Sequence, residues 1–81
     1  MPLRVTPMYS GYVFGVQELG RALRAAEFRQ RAAIAHRHGA DFRQAQGPAG
    51  WRAWYVCPDQ GDAANHATES AVMAESEGVK A

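Results

Sequence analysis

The chain has 81 residues, a formal net charge of +1, 47% hydrophobic residues and one cysteine, Cys57. This length allows a single small domain; no stretch approaches the roughly 18 apolar residues that cross a bilayer, and one cysteine cannot close an internal disulfide. Sixteen of the hydrophobic residues are alanine, and Leu, Ile, Val and Phe together make up only 16% of the chain, so the core must be thin and the eight aromatic residues must carry much of the burial.

The first element expected is a short strand at 3–6, "LRVT", closed by Pro7, which has no N–H for a ladder bond. A second follows in "YSGYVFG", 9–15, where Tyr12, Val13 and Phe14 form a β-prone run. Residues 16–38, "VQELGRALRAAEFRQRAAIAHRH", contain no proline, are rich in helix formers and are followed by Gly39, which suits the position just past a helix end. At 100° per residue Val16, Leu19, Leu23, Ala26, Ala33 and Ile34 fall on one arc and form the expected buried stripe.

A hairpin is expected next: "DFRQAQ" and "WRAWYV" flank Gly47-Pro48-Ala49-Gly50, with proline and glycine placed as a tight turn requires. Counting outward pairs Gln46 with Trp51, Arg43 with Trp54 and Phe42 with Tyr55. Phe42, Tyr55, Ala53 and Trp51 then share one face, and Arg43, Arg52, Trp54 and Val56 the other. The first is the expected core face. Beyond Pro58 the composition turns acidic and alanine-rich, with Val72, Met73 and Val79 as the only sizeable apolar groups. That segment reads as a short helix begun at Asp62 or as a tail. The fold expected is therefore α+β: one long amphipathic helix on a short antiparallel sheet within 1–58, with an acidic C-terminal helix or tail over 59–81.

Charge is unevenly placed. Residues 1–54 carry eight arginines against Glu18, Glu27 and Asp41, a balance of +5, while 55–81 carry Lys80 against Asp59, Asp62, Glu69, Glu75 and Glu77, a balance of −4. Arg21, Arg24, Phe28 and Arg31 lie on the helix side away from the apolar arc, and the outward hairpin face adds Arg43, Arg52 and Trp54. Tryptophan and arginine dominate protein interfaces, and the same residues can hold phosphates and stack bases. The first expectation is a protein-binding module meeting another protein or a second copy of itself. The alternative is nucleic-acid binding, although no helix-turn-helix or RNP pattern is present.

Catalytic and metal chemistry have weaker footing. His36, His38, Cys57 and His66 supply four N and S donors, but without the paired spacings of structural zinc sites. Cys57 lacks a recognisable nucleophile loop, and the glycines form no phosphate loop. No catalytic residue, metal site or cofactor is assigned. A third reading, a small enzyme or metal-binding protein, would use Cys57 and the histidines. Arginine dominance among the basic residues suggests GC-rich coding DNA of a bacterium or its phages, and a small bacterial or phage-encoded inhibitor or adaptor is one form the protein-binding reading takes. The lone cysteine and the absence of a signal-peptide pattern suggest the cytoplasm.

Overall fold

The computed structural model describes residues 10–78, so the strand expected at 3–6 lies outside the described residues. The elements in chain order are β1 (Gly11–Glu18), α1 (Ala25–Arg37), β2 (Asp41–Gly47), β3 (Gly50–Pro58) and α2 (Asp62–Ser76). The fold is a small α+β domain: a three-stranded antiparallel sheet in the order β1-β3-β2 with two helices. β1 and β2 are both antiparallel to β3 and therefore run parallel to each other with β3 between them. The connection through α1 spans that gap.

The hairpin has the register expected from its turn. Gln46 pairs with Trp51, Arg43 with Trp54 and Phe42 with Tyr55, and Gly47 opposite Gly50 leaves Pro48-Ala49 at the tip. β1 adds to the other side of β3 through Tyr12 to Cys57, Phe14 to Tyr55 and Gln17 to Ala53, with one extra residue between Phe14 and Gln17. That bulge needs Gly15, whose φ is +63° and where a Cβ would sit 2.9 Å from the Tyr55 ring.

The helix begins nine residues later than its composition implies. Residues 16–18 belong to β1, because Gln17 and Glu18 pair with Ala53 and Arg52 on the free side of β3, and 19–24 form the connection. The expected stripe does not survive this shift. Val16 is 53% exposed, and Ala26 and Ala33 are exposed as well. Of the six residues only Ile34 is buried on α1, while Leu19 and Leu23 pack against the core from the connection. The buried face of α1 is instead Glu27, Ile34 and Ala35, with Phe28 and Ala32 beside it. Its end is as expected: the Gly39 N–H donates to the His36 carbonyl at 3.1 Å and the Ala40 N–H to the Ala35 carbonyl at 2.8 Å, a Schellman motif with Gly39 at φ +81°.

There are thus two helices of similar length, 13 and 15 residues, rather than one long helix. The acidic segment supplies the second, and its Val72 is fully buried in the core. Asp62 is not the cap; Gly61 occupies that position. Tyr12 ties β1 to α2 by donating its hydroxyl to Glu69 at 2.6 Å. Both helices pack on the face of β3 that carries Ala53, Tyr55 and Cys57. Across this face runs a chain of rings, Tyr12–Phe14–Tyr55–Phe42–Phe28, with successive centroids 5.8, 5.4, 4.8 and 5.3 Å apart, all in the range where aromatic pairs attract beyond simple burial. Trp51 is partly buried and stands outside this cluster, contrary to the expectation that it packs with Phe42 and Tyr55.

Carboxylates hold the start of each helix. Glu27 accepts from the Arg24 backbone N–H at 3.0 Å and from the Arg21 guanidinium at 3.4 Å. Asp59 accepts from the Gly61 N–H and from Asn65, itself buried at 3% exposure.

Two outcomes follow from this packing. Phe42→Ala removes a ring held between Phe28 and Tyr55 and costs on the order of 3–5 kcal/mol, enough to unfold a domain of this size. Leu23→Ala, at a partly exposed position, leaves a cooperative melt. Circular dichroism on heating distinguishes the two. The second outcome concerns acid. Hydrogen bonds to the Arg24 backbone and the Arg21 side chain hold the Glu27 carboxyl below its ordinary range, and those from Asn65 and Gly61 do the same for Asp59. Folded values below unfolded ones mean that both groups stabilise the fold above about pH 4 and lose that contribution as pH falls through the folded values. In urea titrations, Glu27→Gln with Asp59→Asn should be less stable than the wild type at neutral pH, with the difference shrinking as the pH falls below about 4.

Candidate functional site

Three of the seven expected contact residues come together on the sheet face opposite the helices. Trp54 and Arg52 alternate along β3, and Arg43 pairs with Trp54 from β2. Their face also carries Val56 and Val13, paired across β1 and β3. A groove of about 330 Å³ runs here between Val13, Val16, Ala45, Arg52 and Trp54. Val16 is the exposed large hydrophobic residue among those described. The bulge at Gly15 shifts the β1 register just before it. Neither Val13 nor Val16 stood out in the sequence as a contact residue, because a helix was expected to begin at Val16.

The arginines of this face are already matched by acids. Arg52 lies 3.0 Å from Glu18 and Arg43 lies 3.4 Å from Asp41, so the face is amphipathic and close to electrically balanced. Both pairs are solvent-exposed and each contributes little to stability.

The other four residues are elsewhere. Arg21 lies in the connection and pairs with Glu27 at 3.4 Å. Arg24 is the N-cap residue just before α1. Phe28, expected on the outward side of the helix, packs its ring against Phe42 and belongs to the margin of the core. Arg31 is partly buried and faces inward, lining a cavity of about 260 Å³ between the helices and the inner sheet face. Moving the start of α1 from 16 to 25 explains the scatter, since the arc assigned to the core was drawn through strand and loop residues.

The inner cavity lies over a row of the sheet in which Gln17 and Gln44 flank Ala53. The Gln44 side chain accepts from the Leu23 N–H at 3.2 Å and fastens the connection across the sheet. Apolar walls come from Leu19, Leu23, Phe42 and Met73. Tyr55 and Ser76, hydrogen-bonded to each other at 2.7 Å, provide a polar edge.

The nucleophile and metal candidates are dispersed or blocked. Cys57 is only 2% exposed, and burial, assisted by the charges of Asp59 and Glu69, pushes its thiol above the usual value against a smaller opposing contribution from Gln60. A buried, protonated thiol is a poor nucleophile. His36 lies 3.2 Å from Asp41, His38 lies 2.9 Å from Glu75 and His66 lies 3.9 Å from Glu69. Among the described residues no group of three or more His, Cys, Asp or Glu side chains is placed to hold a metal ion. Nor is any helix among them long and apolar enough to cross a membrane.

Cys57 should therefore be protected. Ellman's reagent is expected to titrate one thiol rapidly in guanidinium and to react in native buffer only at the rate of opening; fast native reaction would show an accessible thiol. Comparison with known proteins finds no matching family model, curated protein or solved structure.

Proposed function

We propose that this protein is a non-enzymatic binding module that engages another protein through the outer sheet face. The observation that carries the reading is the Val13–Val16–Trp54 groove, opposite the face that packs against both helices. Placing Val16 at 53% exposure in a chain so short of aliphatic residues withholds scarce apolar area from the core. A partner that buries it recovers that area. The flanking Arg43 and Arg52 resemble the polar rim of an interface, and tryptophan is a frequent hot-spot residue.

The same geometry favours protein over nucleic acid. Phosphate binding draws on basic side chains that neutralise the backbone, whereas Arg21, Arg37, Arg43 and Arg52 each have an Asp or Glu partner. Activity as an inhibitor or adaptor, in the cytoplasm, fits a binding domain with one buried free thiol.

The test is affinity capture from the source cell, with a reciprocal capture using the partner it identifies. Val16→Asp and Trp54→Ala should each weaken that pair by roughly 30-fold or more. Arg29→Asp on the exposed side of α1 serves as the control and should leave binding unchanged. Retention of the partner by Val16→Asp would reject the face. A nucleic-acid gel shift that weakens steeply with salt would favour the other class.

A further inference from the structure

We propose that residues 1–9 fold back over one end of the outer sheet face and cover its Val13–Val56–Trp54 portion in the free protein. Burial on this face is uneven. Both helices pack on the opposite side of the sheet, yet Val56, which points outward between the inward-facing Tyr55 and Cys57, is only 9% exposed. It is the one buried hydrophobic residue that does not belong to the core cluster. Its cross-strand neighbours, Val13 and Asp41, stand beside it in the sheet and not above it. At the next outward position of β3 the Trp54 Nε1 is buried too. Farther along, Arg52, Ala45 and Val16 are all exposed. Exposure thus falls along β3 from Arg52 through Trp54 to Val56, as it would beneath a cover laid over one end of the face.

The covered end is where the chain enters the sheet. Ser10 precedes β1, and the first pair, Gly11 with Pro58, is next to the Val13–Val56 row. Nine residues reach at most about 30 Å, whereas Trp54 lies about 14 Å along the strand from Pro58. The sequence suits the position: Leu3, Val5, Met8 and Tyr9 supply apolar side chains, and Arg4 is the one charged side chain. Pro2 and Pro7 lack the N–H of a full ladder strand, which favours a strap held by its side chains. The other end of the chain is poorly placed. Residues 79–81 follow α2, whose Ser76 bonds Tyr55 on the helix side, and three residues reach only about 10 Å.

The cover does not depend on the partner-binding reading. Where that reading holds, a partner meets the open Val16–Arg52 end first and gains Val56 only by displacing the segment.

The experiment is NMR on the full chain. Nuclear Overhauser contacts are expected from the Val56 methyls and the Trp54 indole to side chains of residues 1–9, within one molecule in a mixture of labelled and unlabelled chains. Val5→Asp with Met8→Asp should shift amides centred on Val13, Trp54 and Val56 and speed water exchange of the Trp54 indole N–H by about tenfold or more, leaving Ala53 and Phe14 unmoved. The contacts in the wild-type protein decide the question even if that variant fails to fold. Absence of these contacts, or unchanged indole exchange in a folded variant, would show that the strand neighbours bury Val56 by themselves and would overturn the proposal. Contacts found only between labelled and unlabelled chains would assign the cover to a second copy instead.

Discussion

The aromatic chain across the inner sheet face is the interaction on which the domain depends. Phe14, Tyr55 and Phe42 sit on three adjacent strands at one level of the sheet, and Tyr12 and Phe28 extend the row at its two ends. Each of these rings buries far more area than an alanine, and apart from Phe28 of α1, which is one of them, the helices that close over the row contribute chiefly Ile34, Ala35 and Val72. These three side chains supply less apolar area than the rings do. The rings therefore provide most of the burial, and the helices act as covers. This division also explains the polar fastenings at the margins. Tyr12 to Glu69, Gln44 to the Leu23 backbone, and Glu75 to both Arg37 and His38 each join elements that apolar contact alone would hold weakly.

One level along the sheet from the rings the character changes. Gln17, Ala53 and Gln44 replace aromatics in the adjacent row of the inner face, and the polypeptide closes over them with a connection rather than with a helix. The bulge at Gly15 marks the border between the two levels. It lets Phe14 keep its place opposite Tyr55 while Gln17 is brought opposite Ala53. A fully apolar row at this level would have added to a thin core. The small and amide-bearing side chains found there leave a volume that Arg31, Tyr55 and Ser76 also line.

Legibility from sequence followed how local each determinant is. The hairpin was readable to the residue because a tight turn fixes its own register and both strands follow from it. Gly39 as the end of α1 was readable for the same reason: the motif lies within six residues. The start of α1 was not, because Val16, Gln17 and Glu18 become strand only through β3, more than thirty residues away. Helical periodicity through Leu19 and Leu23 was coincidental, since both reach the core from a loop. Of the candidate contact residues, those placed by the hairpin register, Arg43, Arg52 and Trp54, fall on one face, and those placed by the helical wheel do not. In the acidic segment alanine-rich composition fitted either a helix from Asp62 or a tail, and the helix forms because Val72, fully buried, docks it on the core.

The uneven charge of the sequence has an equally local resolution. Arg37 and His38 at the end of α1 both meet Glu75 of α2, so part of the basic first half is answered by the acidic second half across the helix pair. Arg21, Arg43 and Arg52 are answered within the first half by Glu27, Asp41 and Glu18. Surface pairs of this kind add little stability, but they determine what the surface can attract. A domain whose basic residues were unmatched would present a positive field to any polyanion. With its arginines matched, the outer face offers a partner of the proposed kind shape and apolar area rather than a positive field, with the arginine pairs at its rim.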